Sequence, residues 1–123
     1  MNRFHRLLAA ALVLASAAAG AQDRRFDPKA LARYDVSYGR CEASFPQMKG
    51  HRDDAYLSLW HVAPGPKPAA HLATVRSSAP YRAEHRLASA RRGARASEAE
   101  ASKTLERQCK GLWGELVRTQ PAR

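Results

Sequence analysis

The sequence predicts an all-α protein: a small bundle of about four helices, the first and last joined by one disulfide, behind a cleaved N-terminal signal peptide. Three observations predict it. Apolar residues recur at spacings of three and four through four segments between residues 28 and 118, a pattern that lines one side of a helix. The two cysteines of the chain, Cys41 and Cys109, fall on two of those lines. The chain also opens with a basic start, an uncharged apolar run and a small-residue end, the three parts of a secretory leader.

A secretory leader would place the rest of the chain in an oxidising compartment. Arg3 and Arg6 precede the uncharged run Leu7–Ala19, and "AGA" at 19–21 places the expected cleavage after Ala21. The run is too short to span a bilayer, and no later stretch approaches eighteen apolar residues, so the mature chain is expected not to span a membrane and to reside in the periplasm or outside the cell. Residues 22–27 read as a disordered lead-in, 28–118 as one helical domain and 119–123 as a disordered tail.

Asp27 and Pro28 start the first helix. A carboxylate caps the first N–H groups, and proline is tolerated at a position whose N–H would have had no partner. Leu31, Tyr34, Tyr38, Cys41 and Phe45 then line its inward side. "PQMKG", residues 46–50, reads as a corner, since Pro46 disfavours helical backbone at Phe45 and Gly50 offers a turn. The second helix takes "RDDAYLSLWHV", with Asp53 and Asp54 at its start near the positive end of the helix dipole, and Ala55, Tyr56, Leu59 and Trp60 on one side. "APGPKPA", residues 63–69, reads as a loop. From Pro68 to Arg92, Leu72, Val75, Ala79, Ala83, Leu87 and Ala90 keep one phase; Pro80 in the middle predicts a kink or break, with Ser78 placed to cap a restart. Tyr81 falls opposite that line and is either exposed or brought inward by a change of phase. Ser97 and Glu100 form a capping box for the last helix, in which Ala101, Leu105, Cys109, Leu112 and Leu116 face inward beside Trp113.

Cys41 and Cys109 therefore sit mid-stripe on the first and last helices of a chain bound for an oxidising compartment, and a disulfide between them is expected. Closing a loop of about 70 residues is worth about 4 kcal/mol in the chain-entropy account, comparable to the whole stability of a small domain.

The stretch Tyr38–Trp60 gathers Cys41, His51, Asp53 and Asp54, with His61 just beyond, but lacks CxxC, HExxH or any other close ligand spacing. Ten residues rotate a helix by about 280°, so His51, His61 and His71 share no face. No metal, haem or other cofactor is expected. Ser44, Ser58, Ser77 and Ser78 stand outside any GxSxG context, and no catalytic residue is assigned. The plan of a leader followed by a small helical domain resembles the periplasmic stress chaperones, the helical cytochromes of that compartment and the small helical lysozyme inhibitors. The LTxxQ repeats of the first and the CxxCH of the second are absent here, and a basic chain is poorly matched to a strongly basic enzyme.

What remains is charge. Removing residues 1–21 lowers the formal net charge from +10 to +8, of which +5 lies between residues 76 and 95, where Arg76, Arg82, Arg86, Arg91, Arg92 and Arg95 stand against Glu84. Guanidinium groups suit phosphate, so these six arginines are the expected anion-binding surface. The expected function is a non-enzymatic binding or structural module of the bacterial envelope, with lipopolysaccharide, anionic phospholipid or an acidic protein as partner. The leader takes the chain away from nucleic acid. An enzyme inhibitor, or an enzyme acting through an unrecognised site, is the alternative.

Overall fold

A computed structural model of the protein describes residues 23–91 and 98–120, so residues 1–22, 92–97 and 121–123 lie outside it. The described residues form five helices: α1 Pro28–Ser44, α2 Arg52–Leu59, α3 Pro66–Arg76, α4 Ala79–Arg91 and α5 Glu98–Thr119. The fold is all-α, as expected, with five helices in place of about four because the third segment divides.

Asp27 caps α1, its Oδ2 accepting the Ala30 N–H at 2.8 Å, and Pro28 opens the first turn. The helix ends where Pro46 requires it. Phe45 is extended (φ −129°, ψ 91°), a 3-10 turn spans Pro46–Met48, and Gly50 takes φ 82° in the left-handed region. This corner buries Met48 and brings the chain to α2.

In α2 the expectations are corrected at both ends. Asp53 and Asp54 occupy the first turn, but the capping position belongs to His51, whose side chain makes no capping bond. Ala55, Tyr56, Leu57 and Ser58 are buried, whereas Leu59 and Trp60, expected inward, are 40% and 36% exposed. The cause is the way the helix closes. Val62 N–H donates to Leu57 O at 2.9 Å and His61 N–H to Ser58 O at 3.1 Å, with His61 at φ 54°, so the chain turns out of the helix and Val62 packs against the core.

The loop expected over 63–69 is shorter, because α3 starts at Pro66. Pro66 and Pro68 lie in the first turn, where a missing N–H removes no intrahelical bond; the first such bond runs from Ala69 N–H to Gly65 O at 3.1 Å. The break expected at Pro80 separates α3 from α4. Ser78 Oγ donates to Val75 O at 2.6 Å and accepts the Tyr81 N–H at 3.4 Å, tying the end of one helix to the start of the next. The restart changes the phase. Tyr81 and Glu84 turn inward, while Ala79, Ala83 and Ala90 are exposed and Leu87 is 52% exposed.

The lead-in expected to be disordered contains a 3-10 turn, Arg24–Phe26; Phe26 stacks on His71 at a centroid distance of 3.9 Å, and Tyr56 Oη donates to Arg25 O at 2.7 Å. Ser97 of the expected capping box lies outside the described residues. Along α5, Cys109 and Leu116 are buried, and Ala101, Leu105, Leu112 and Trp113 are half-buried, as the spacing predicted.

The core has two parts joined by α1. Leu31 and Ala32 of α1 pack with Tyr56, Leu57, Leu72, Val75 and Tyr81 from α2, α3 and α4. Tyr38 and Cys41, further along α1, pack with Met48, Ala55, Cys109 and Leu116, and Tyr34 touches both parts. Cys41 and Cys109 form the expected disulfide, with Cα atoms 5.4 Å apart and both residues buried. Replacing both with Ala is expected to cost about 4 kcal/mol, because the bond closes a loop of 68 residues and its sulfurs also fill the second part of the core. Urea unfolding of the double variant against the parent checks this.

Candidate functional site

Among the described residues the most buried charged side chain is Asp35, which lies on the inward side of α1 among apolar residues. Its carboxylate is satisfied on every side. Arg76 of α3 donates from Nε to Oδ2 at 2.8 Å and from Nη2 to Oδ1 at 3.0 Å, and Tyr81 of α4 donates from Oη to Oδ2 at 2.6 Å. Arg76 Nη2 also reaches Asp53 of α2 at 2.7 Å. Burial works against the Arg76 charge, but its bonds to Asp35 and Asp53 outweigh that and hold its pKa above the usual arginine value. Burial raises the Tyr81 phenol to about 12, and its bond to the Asp35 carboxylate adds to the shift. The Asp35 carboxylate is wholly engaged within this cluster, which ties α1, α2, α3 and α4 together as a structural node.

Of the six arginines expected to bind anions, Arg76 is paired with Asp35 and Asp53. Arg92 and Arg95 lie outside the described residues. Arg82, Arg86 and Arg91 do not share a face. Two residues rotate a helix by about 200°, so Arg82 and Arg86, on either side of the inward Glu84, stand exposed on the back of α4. Seven residues on from Glu84, Arg91 returns to its side and lies 3.8 Å from its carboxylate.

Arg91 leads to the concave surface of the molecule. A groove of about 750 Å³ runs between α1, α4 and α5, and five cationic side chains line it: Arg33 and Arg40 from α1, Arg91 from α4, Lys103 and Arg107 from α5. Glu100 is the one carboxylate among the lining residues. Arg33 is partly engaged, its Nε donating to Glu84 Oε1 at 2.8 Å, which holds the Glu84 carboxyl below the usual range. Among the described residues, Arg40, Lys103 and Arg107 have no carboxylate partner; Arg107 reaches the Thr104 hydroxyl at 3.5 Å. The sequence reading missed four of these five residues. The signal was present on each helix separately, because Arg33 and Arg40 are seven apart and Lys103 and Arg107 four apart, spacings that keep a residue pair on one side.

Cys41 is consumed by the disulfide and His51 sits edge-on to Trp113 at a centroid distance of 5.6 Å. Among the described residues no three His, Cys, Asp or Glu side chains converge in a metal-binding arrangement. The hydroxyls of Ser58, Ser77 and Ser78 donate to the helix carbonyls of Asp54, Ala73 and Val75. No described helix is long and apolar enough to cross a membrane. No protein-family model matches the chain, and neither a curated protein nor a solved structure is similar to it.

The node generates two predictions. Arg76→Met strands a buried carboxylate and is expected to cost about 3–5 kcal/mol, Tyr81→Phe about 1.5–3 kcal/mol, and Asp53→Asn, at a partly exposed acid, under about 1 kcal/mol; equilibrium unfolding in urea ranks the three. The second concerns alkaline pH. Tyr38 and Tyr81 both ionise near 12 in the folded protein against 10.0 for an unperturbed phenol, with burial the main cause. A raised folded pKa means that the unfolded chain loses its phenolic protons first. Their contribution to stability is therefore complete below pH 10 and is lost as pH rises from 10 to 12. Tyrosinate absorbance and helical circular dichroism followed together should change in that interval, and Tyr81→Phe should reduce the pH dependence.

Proposed function

We propose that the protein is a non-enzymatic binding module that takes an anionic partner of the bacterial envelope in the groove between α1, α4 and α5. One observation carries this reading: cations from three helices converge on one concave surface, and three of them have no carboxylate partner among the described residues. Cations placed only for solubility are spread over a surface and interspersed with acids. Here they face one another across a groove, which concentrates their field on whatever occupies it. Arginine forks at Arg33, Arg40, Arg91 and Arg107 suit phosphate or carboxylate oxygens, with Lys103 adding a point charge.

The reading replaces the sequence-based surface with a different set of residues and is tested against it directly. The variant Arg40→Gln, Lys103→Gln, Arg107→Gln should elute from heparin resin at clearly lower salt than the parent. The control Arg82→Gln, Arg86→Gln, Lys49→Gln removes the same number of charges outside the groove and should shift elution much less. Equal shifts would mean that bulk charge alone retains the protein and would overturn the groove as a binding site.

A further inference from the structure

The groove is not lined by charge alone. Beside the cationic side chains lie Val36 of α1, Ala88 of α4, and Ala101 and Leu105 of α5, all half-buried, together with the uncharged polar side chains of Ser37, Thr104 and Gln108. Two of the four apolar residues are alanine, whose short side chains leave the space between the helices unfilled where a leucine would occupy it. A polyanion or a free inorganic phosphate needs only the cations and gains nothing from the apolar residues. An acidic peptide would have to lay backbone N–H and C=O groups along Val36, Ala88, Ala101 and Leu105, with only Ser37, Thr104 and Gln108 among the uncharged lining residues able to pair with them. A ligand with a charged head and an apolar chain uses both surfaces.

Resting on the reading of the groove as an anion site, we infer that its ligand is a single-chain amphiphile with a phosphate head, bound one molecule at a time. The head meets Arg40, Lys103 and Arg107, and the chain lies on Val36, Ala88, Ala101 and Leu105. The volume of about 750 Å³ falls in the range of sites that enclose one small ligand. Glu100 and Glu84 also border the site, Glu84 being held by Arg33 and close to Arg91, so those two arginines contribute less net charge than their number suggests. The head is therefore placed at the three cations that lack such partners. Charge complementarity selects the head, and burial of methylenes selects the chain. Each fully buried methylene strengthens binding about fourfold, and in an open groove about twofold.

The test is a titration calorimetry series on the whole mature protein with inorganic phosphate, butyl phosphate, octyl phosphate and dodecyl phosphate, each below its micelle concentration, and with dodecyl maltoside as an uncharged chain. The expected result is binding of one dodecyl phosphate per protein, about 250-fold tighter than butyl phosphate at about twofold for each of the eight added methylenes, with dodecyl maltoside at least about tenfold weaker than dodecyl phosphate. Ala88→Glu, which puts a carboxylate among the apolar lining residues, should remove the dependence on chain length, and Arg40→Gln with Lys103→Gln should weaken every phosphate in the series. Equal affinity for butyl and dodecyl phosphate overturns the amphiphile, and if heparin retention still depends on Arg40, Lys103 and Arg107 the anion site itself stands. Equal affinity for dodecyl phosphate and dodecyl maltoside overturns the charged head. The chain-length series on the parent protein decides the matter even if Ala88→Glu does not fold.

Discussion

The fold depends on one buried carboxylate. Asp35 would be prohibitively costly alone in an apolar interior, and it is tolerated because Arg76 and Tyr81 supply three hydrogen bonds to it. With the further bond from Arg76 to Asp53, the cluster draws on α1, α3, α4 and α2 in turn. Apolar stripes by themselves are tolerant of how their helices are paired. A polar cluster satisfied in a single arrangement selects among those packings, since any other leaves a charge buried and unpaired. The interior follows the same rule elsewhere. Tyr34, Tyr38 and Tyr56 each donate to a backbone carbonyl, and among the described residues no buried side-chain polar atom lacks a partner.

The fifth helix takes no part in that cluster. It is held by the second part of the core, by a hydroxyl contact from Thr119 to Ser58 at 2.8 Å, and by the disulfide. This division of labour places the groove. Its α1 and α4 walls are fixed by the Asp35 cluster and the Arg33–Glu84 pair, and its α5 wall is fixed by the bond at Cys109. A chain of this size has few apolar contacts to spare, and a covalent tether allows α5 to present Lys103 and Arg107 outward without needing both of its sides for packing.

The positive charge of the chain therefore has three separate uses. Arg76 is internal and structural, and Arg52 pairs with Glu42 between α2 and α1. Arg82 and Arg86 face solvent on the back of α4. Arg40, Lys103 and Arg107 line a concavity and, among the described residues, form no salt bridge with a carboxylate. Net charge adds these together and so says little about where a partner is held. Position relative to carboxylates on neighbouring helices separates them.

The sequence by itself determined the local features, because each rests on residues a few positions apart. Asp27–Pro28 starts α1, Pro46 and Gly50 make the corner, Ser78 and Pro80 restart the chain, and the stripes of α1 and α5 carry Cys41 and Cys109 to the inward side. It misjudged the apolar line through Ala79, Ala83, Leu87 and Ala90, because that line assumes an unbroken helix; once the chain restarts at Ser78, burial of Tyr81 and Glu84 decides the phase. It assigned Arg76 to the surface for a related reason. Nothing near Arg76 in the chain is acidic, and its partners are 41 and 23 residues away. The groove, likewise, is made of two basic stripes that are each visible alone, on α1 and on α5, while their facing one another across Val36 and Ala101 is a property of packing. Local chemistry sets how each helix begins, ends and turns its faces, but which cation meets an acid and which meets solvent is fixed only when helices distant in sequence are brought together.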